Sequence, residues 1–139
     1  MTTDRPEKLD LRTILVIPLG QFAPWLASVL LVTWAGYPGV VCVTPVAWLM
    51  ALRVGLVCVT RSSSLRPARR VQEAALGGAF FGFLQGLLFL VIVPLMGDIK
   101  PTEWTGAFVL IAFMLVGGIL AGAGLAAFTA SQFERRRST

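Results

Sequence analysis

The chain contains no histidine and only two cysteines among its 139 residues. Histidine is the commonest side-chain ligand for metals in proteins and the usual axial ligand of haem. The two cysteines, Cys42 and Cys58, fall in one predicted helix, where a separation of sixteen residues corresponds to roughly 24 Å, far beyond the ~7 Å that a disulfide allows. We therefore expect no metal centre, no intramolecular disulfide and no cofactor.

Charged residues are scarce as well. They make up 14% of the chain, whereas hydrophobic residues make up 56% and the mean hydropathy is +0.79. A soluble domain of this size carries roughly 25% charged residues. The composition is that of an integral membrane protein, with no residues left over for a folded soluble domain.

The few acidic residues lie at the ends of the apolar stretches or between them: Asp4, Glu7, Asp10, Glu73, Asp98, Glu103 and Glu134. No two of them are placed as an acid–base pair at membrane depth. The serines have no neighbouring base that would make one of them a nucleophile. We therefore expect that the protein is not an enzyme.

Four stretches are uncharged or nearly so, and each is long enough to cross a ~30 Å hydrocarbon layer as a helix. They cover residues 14–35, 39–60, 72–96 and 104–130. What remains is two tails, residues 1–13 and 131–139, two short turns, and a basic connector, residues 61–71. The prediction is an all-α membrane protein, a single domain over residues 1–139, in which four transmembrane helices form two antiparallel hairpins.

Lysine and arginine outside the spans are unevenly distributed. Ten lie in the two tails and the basic connector, and one, Lys100, lies in the turn before the fourth span. By the positive-inside rule this multi-pass protein has both termini in the cytoplasm, with Trp34, Tyr37 and Trp104 at the outer boundary. Because the chain has no organelle transit signature, we expect it in the bacterial plasma (inner) membrane.

The arginines of the connector and the C-terminal tail allow two interpretations. They set the topology, or they also bind anionic lipid head groups. No nucleic-acid-binding motif accompanies them, so nucleic acid is not an expected partner. The residues concerned are Arg61, Arg66, Arg69, Arg70, Arg135, Arg136 and Arg137.

Small residues recur every four positions in the third and fourth predicted helices, which places them in one row along each helix. The rows are Ala74, Gly78, Gly82 and Gly86, and Gly118, Gly122, Ala126 and Ala130. In an antiparallel hairpin the two rows face each other in the pairs 74–130, 78–126, 82–122 and 86–118. Small residues let two helix backbones approach closely in a membrane, so we expect these two helices to pack through the rows. Alternatively, one row accepts a partner helix, a second copy or a flat cofactor.

Three polar side chains lie inside predicted spans: Gln21, Arg53 and Gln85. An intramembrane charge is a functional-site hypothesis by default, and we expect Arg53 to snorkel, to pair with Glu73, or to meet an acid on another subunit. Gln21 lies between Pro18 and Pro24, which each remove a backbone donor and are expected to kink or break the first helix.

These features favour a small non-catalytic membrane protein that packs against other membrane proteins as an accessory, assembly or stabilising subunit. One alternative is a small homo-oligomeric transporter or channel that uses the broken first helix and Arg53. A second alternative is a membrane protein that interacts with anionic lipid. The expected partners are the lipid bilayer and other membrane protein subunits or copies of this chain.

Overall fold

The computed structural model describes residues 9–35, 39–64, 66–96 and 104–138, without the side chains of residues 32, 33, 39–44, 92–96, 104, 107 and 110. The described chain is all helical, as the sequence predicts. Its four helices are α1 (Leu11–Trp34), α2 (Gly39–Arg61), α3 (Pro67–Met96) and α4 (Trp104–Ser138). Two helices run well beyond the apolar stretches: α3 begins within the basic connector, and α4 continues through the basic tail. Backbone hydrogen bonds propagate a helix past the end of its apolar segment when nothing interrupts them.

Three helices contain segments long and apolar enough to cross a membrane: Leu11–Leu31 in α1, Pro67–Val91 in α3 and Ile111–Ser138 in α4. The chain is therefore a helical membrane protein by length and composition. The side chains of α2 are described only from Pro45 onward. A fourth span through α2 stays a prediction.

The helices α2 and α3 form the centre of the bundle. Each packs against the other and against both α1 and α4, whereas α1 and α4 make no mutual contact within the described ranges. The core includes Val54 and Cys58 of α2 and Phe81 of α3, all fully buried. Trp25 of α1 packs into the same cluster, with its ring edge-on to Phe81 at a centroid distance of 6.4 Å.

The closest helix–helix approach is between α3 and α4. A methyl group added at Gly78 would overlap the carbonyl oxygen of Gly122, and one added at Gly82 would overlap that of Gly118. The same holds between α2 and α4, where a methyl group at Gly55 would overlap the backbone of Ala126. Any larger side chain at these three glycines would push α4 away from its neighbours.

The pairing between the two rows of small residues differs in part from the predicted register. Gly78 faces the Ala126 methyl group, as predicted, but it also faces the Gly122 carbonyl. Gly86 meets Leu115 where Gly118 was expected. Backbone carbonyls project toward the C-terminal end of a helix and reach the neighbouring helix too, so a register argument based on side-chain positions alone misses these contacts.

Helix α1 contains both Pro18 and Pro24, yet it is assigned as one continuous helix from Leu11 to Trp34. The helix is therefore not interrupted at either proline, and the kink that the sequence predicts stays a prediction. The Ser28 hydroxyl donates to the Pro24 carbonyl at 2.8 Å, so a polar side chain contacts the backbone one turn after the second proline. This carbonyl is not the one that Pro24 leaves without a donor, which is that of Gly20, four residues earlier.

The α3–α4 contact predicts that glycines differ in how much a larger side chain destabilises the fold. Gly82→Leu is expected to lower the free energy of unfolding by about 1–3 kcal/mol or more, because the leucine overlaps the backbone of α4. Gly117→Leu is the matched control, since nothing lies within 4 Å of a methyl group placed there. Thermal unfolding of the purified protein in detergent measures both. Equal stability of the two variants would contradict the contact.

Candidate functional site

A buried carboxylate organises the end of the bundle where α2 ends and α3 begins. Glu73 lies in the second turn of α3 and is 0% exposed. Its carboxylate accepts hydrogen bonds from the Ser62 hydroxyl at 2.5 Å, the Ser64 hydroxyl at 2.8 Å and the Asp10 backbone N–H at 3.0 Å. We call these four residues the Glu73 cluster. A buried carboxylate is stable only when its oxygens are paired in this way.

Asp10 links the cluster to the start of α1. It precedes the first helical residue and accepts from the Thr13 N–H at 3.2 Å and the Thr13 hydroxyl at 2.8 Å, which makes it the N-cap. The Ser63 hydroxyl also donates to it, at 3.1 Å. The hydrogen bonds from Thr13, and then those from Ser63, lower the pKa of Asp10 below its ordinary value because they favour the ionised form.

Helix α4 joins the same end of the molecule through Arg70. The Arg70 guanidinium donates to the Ser64 carbonyl at 2.9 Å and forms a salt bridge to Glu134 of α4 at 2.8 Å. The side chains of this pair are only 18% and 13% exposed, respectively. Hydrogen bonds and one ion pair therefore tie the start of α1, the connector, the start of α3 and the end of α4 together.

Glu73 is not paired with Arg53 in this structure, although the sequence allowed that pair. Three donors from Asp10, Ser62 and Ser64 already occupy the Glu73 carboxylate. Arg53 lies on the exposed surface of α2, and the one ion pair recorded among the described residues is Arg70–Glu134. The serine hydroxyls satisfy Glu73 because they follow α2 directly, and they do so without burying a second charge. The run of serines just before a helix that carries Glu73 in its second turn was the sequence signal for this arrangement.

The other two intramembrane polar residues lie where their polar atoms are covered. Gln21 Oε1, Trp25 Nε1 and Gln85 Nε2 are buried and have no hydrogen-bond partner among the described residues. Trp25 is 1% exposed and stacks obliquely on Phe22, with ring centroids 5.2 Å apart. An unpaired buried donor costs about 1–3 kcal/mol, so each of these atoms requires an explanation.

Two of the three lie beside a groove on the bundle surface. The groove encloses about 350 Å³ between α2, α3 and α4, and both Trp25 and Gln85 line it. Its rims carry Trp48 from α2 and Phe113 and Gly117 from α4. None of the described residues that line it is charged. Such a site binds an apolar group and can orient it through one or two hydrogen bonds, whereas it has no group for acid–base or nucleophilic chemistry.

The basic residues form a separate surface. Arg61, Arg66 and all three arginines of the tail are exposed, and Arg69 and Arg70 are half-buried. A shallow recess of about 500 Å³ lies between the start of α3 and the end of α4 and is lined in part by Arg135 and Arg137. Arg137 also lies over the Phe133 ring at 5.2 Å. Binding of anionic lipid here stays a prediction.

Searches of family models, of curated proteins and of solved structures find no match to this chain. Within the described residues no three histidine, cysteine, aspartate or glutamate side chains gather as a metal site. Function must therefore be argued from the Glu73 cluster, from the groove and from the position of Arg53.

The Glu73 cluster predicts that the stability of the fold depends strongly on the Glu73 carboxylate. Glu73→Ala leaves the Ser64 hydroxyl and the Asp10 N–H without their acceptor, and each such buried group costs about 1–3 kcal/mol. Glu73→Gln keeps a carbonyl oxygen of the same size and is expected to lose less. Thermal unfolding in detergent compares the two with the wild-type protein. If alanine and glutamine were equally harmless, the cluster would not stabilise the fold.

The N-cap predicts a dependence on pH. Since folding lowers the pKa of Asp10 from its ordinary value of 3.8, its carboxylate stabilises the fold above that value, and this contribution is lost as the pH falls through the folded pKa. Asp10→Asn keeps the cap but cannot titrate. The unfolding midpoint of the wild-type protein is thus expected to fall toward that of Asp10→Asn, or below it, as the solution is acidified from pH 6 to pH 3.

Asp10→Ala is the companion variant. It removes the cap entirely and is expected to cost about 0.5–2 kcal/mol at pH 6. A constant difference between wild type and Asp10→Asn over the whole range would show that the ionisation of Asp10 does not contribute.

Proposed function

We propose that this chain is a small non-catalytic membrane protein that serves as an accessory, assembly or stabilising subunit and docks against another membrane protein through the outward face of α2. The observation that carries the proposal is the position of Arg53. It is a charged residue on an apolar, outward-facing surface, and no described residue supplies a counter-charge for it.

Arg53 lies on a helix face that is otherwise apolar. Leu49 and Leu56 occupy the same face, one turn before and one turn after it, and are 64% and 39% exposed. Arg53 has no ion pair among the described residues, and the nearest predicted acid, Glu73, is occupied by other donors. In a bilayer this face would present a charge to hydrocarbon at a cost of about 2.5–3.5 kcal/mol or more.

A partner helix that brings an acidic side chain to Arg53 removes this cost. Charged residues within membrane spans pair with one another and mark functional contacts. Snorkelling toward the head groups is the competing arrangement: Arg53 lies eight residues before the end of α2 at Arg61, roughly 12 Å along the helix axis. The position of Arg53 therefore favours a partner that supplies an acid. Replacement of Arg53 distinguishes this arrangement from snorkelling.

A second surface supports assembly. On α4, Gly106, Gly117 and Gly124 have open space where a side chain would be. The exposed Phe113 and Leu120 lie beside them, at 76% and 68% exposure. Small residues flanked by large ones form the typical surface on which membrane helices associate. The unpartnered face of α4 thus offers room for a second helix of a partner.

The proposal includes the arrangement in the membrane. All four helices cross the bilayer, α3 and α4 pack through the full rows of alanine and glycine, and both termini face the cytoplasm of a bacterial plasma membrane. The uneven distribution of lysine and arginine supports this orientation. The close approach at Gly78 and Gly82 supports packing through the rows.

The test is purification of the tagged protein from its own membranes in mild detergent. The wild-type chain is expected to carry one or more membrane proteins in fixed stoichiometry. Arg53→Leu is expected to lose them while its own unfolding temperature stays unchanged, because the side chain is exposed and makes no hydrogen bond or ion pair with the described residues. Arg53→Lys, which keeps the charge, is expected to retain part of the complex.

The matched control is Arg61→Leu, since Arg61 is exposed at the end of the same helix. It is expected to keep the partners. Retention of the complex in Arg53→Leu would contradict docking through this face and favour snorkelling. A homo-oligomer without other proteins, which conducts ions and loses conductance in Arg53→Leu, would favour the transport alternative.

A further inference from the structure

The groove between α2, α3 and α4 contains two hydrogen-bond donors without an acceptor. The indole N–H of Trp25 and the amide Nε2 of Gln85 have no partner within the described chain, and both residues line the groove. Trp25 is 1% exposed, so its N–H is closed to water and to a ligand alike, and the Gln85 amide is the donor that a side-chain rotation can turn into the groove. Donors that remain unpaired in the folded chain indicate a ligand that supplies the acceptor.

The groove owes its shape to the contacts of α4. At one end α4 touches α2 where a methyl group on Gly55 would overlap Ala126, and it lies close to α3 along Gly78 and Gly82. Away from this contact, Trp48 and Phe113 are exposed at 56% and 76%. The two helices therefore enclose an apolar space on top of α3, open on one side to the surroundings of the bundle.

The chemistry of the walls restricts the occupant. All lining residues are uncharged, and apart from the glutamine and the two tryptophans they are hydrophobic or glycine. A charged ligand would be left without a counter-ion. The occupant must be neutral, mostly hydrocarbon, and equipped with an acceptor such as a carbonyl oxygen.

The depth of Gln85 excludes the commonest membrane carbonyls. Within α3, which covers Pro67–Met96, Gln85 lies roughly 27 Å from the first residue and roughly 17 Å from the last along the axis. The ester carbonyls of phospholipids lie at the boundaries of a ~30 Å hydrocarbon core, about 15 Å from its centre. A carbonyl that reaches Gln85 belongs to a molecule that enters the core of the bilayer.

We propose that the groove binds a neutral lipophile of the quinone class, with its ring between Trp48 and Phe113 and a ring carbonyl accepting from Gln85. The terminal torsion of a glutamine side chain is soft, so the amide turns its N–H toward the ligand at little cost. A volume of about 350 Å³ lies within the usual range for small-ligand sites. The proposal concerns binding and involves no electron transfer.

Another residue competes for the indole donor. Gln21 lies one turn before Trp25 on α1, and its Oε1 is also unpaired. A side-chain rotation that joins these two residues would satisfy Trp25 internally. Gln21 does not line the groove, so its replacement separates the two arrangements.

The experiment titrates the purified full-length protein in detergent with 2-decyl-1,4-benzoquinone, using decylbenzene as the matched hydrocarbon without carbonyl groups. The quinone is expected to raise the unfolding midpoint in a saturable way, and decylbenzene is not. Gln85→Leu is expected to weaken binding about three- to tenfold, the equivalent of one hydrogen bond inside a membrane protein. The infrared band of the bound carbonyl is expected to lie at lower frequency in wild type than in Gln85→Leu.

Substitutions at two glycines of α4 form a matched pair that tests where the quinone binds. Gly117 lines the groove and Gly124 does not, and both have open space where a side chain would be. Gly117→Leu is therefore expected to abolish quinone binding without disturbing the fold, and Gly124→Leu and Gln21→Leu are expected to bind as wild type. Arg53→Leu is expected to bind as wild type as well, so failure of this proposal and of the docking proposal can be told apart.

Three results would overturn the inference. Equal stabilisation by decylbenzene would mean that the groove accepts hydrocarbon alone. Unchanged binding in Gly117→Leu would place the quinone elsewhere. A co-purified phospholipid that blocks the groove and is not displaced by the quinone would identify the occupant as structural lipid.

Discussion

The arrangement of this protein depends on how closely α4 can approach its neighbours. At Gly78 and Gly82 the backbones of α3 and α4 lie so near each other that a methyl group would not fit, and the same is true of Gly55 against α4. Membrane helices have no hydrophobic driving force toward each other, so dispersion contacts of this kind supply much of their association. One face of α4 therefore packs closely against α3 and α2, while its opposite face is exposed.

The close contact of α4 with its neighbours and the Glu73 cluster stabilise different parts of the bundle. The glycines determine the separation of the helices along their length, and the buried carboxylate with its three donors ties their ends together. Buried polar groups in such a network are costly unless every one is paired. The cluster is nearly complete in this sense, which identifies it as structural, whereas Trp25, Gln21 and Gln85 have buried atoms that are not paired.

Arg53 and the groove are two features that the described part of the chain leaves unsatisfied. Arg53 lies on the outward face of α2, and the groove opens between α2 and α4. Arg53 lacks a counter-charge among the described residues, and the donors of Trp25 and Gln85 lack acceptors. The two features therefore require partners of different chemistry. The proposed docking at Arg53 and the proposed binding of a lipophile in the groove therefore depend on different residues.

The sequence by itself determined the helical class, the membrane environment and the approximate position of the helices, because these follow from the length and spacing of apolar residues. It also singled out Gly78 and Gly82 through their period of four. It could not determine that Glu73 binds two serines and the Asp10 N–H, since hydroxyl groups and an arginine can both donate to a carboxylate and only their distances decide. Nor could it show that Gly86 meets Leu115, that Arg53 faces outward, or that Trp25 and Gln85 share a groove. These depend on the rotation and tilt of each helix, which are set by side-chain packing between elements far apart in the chain.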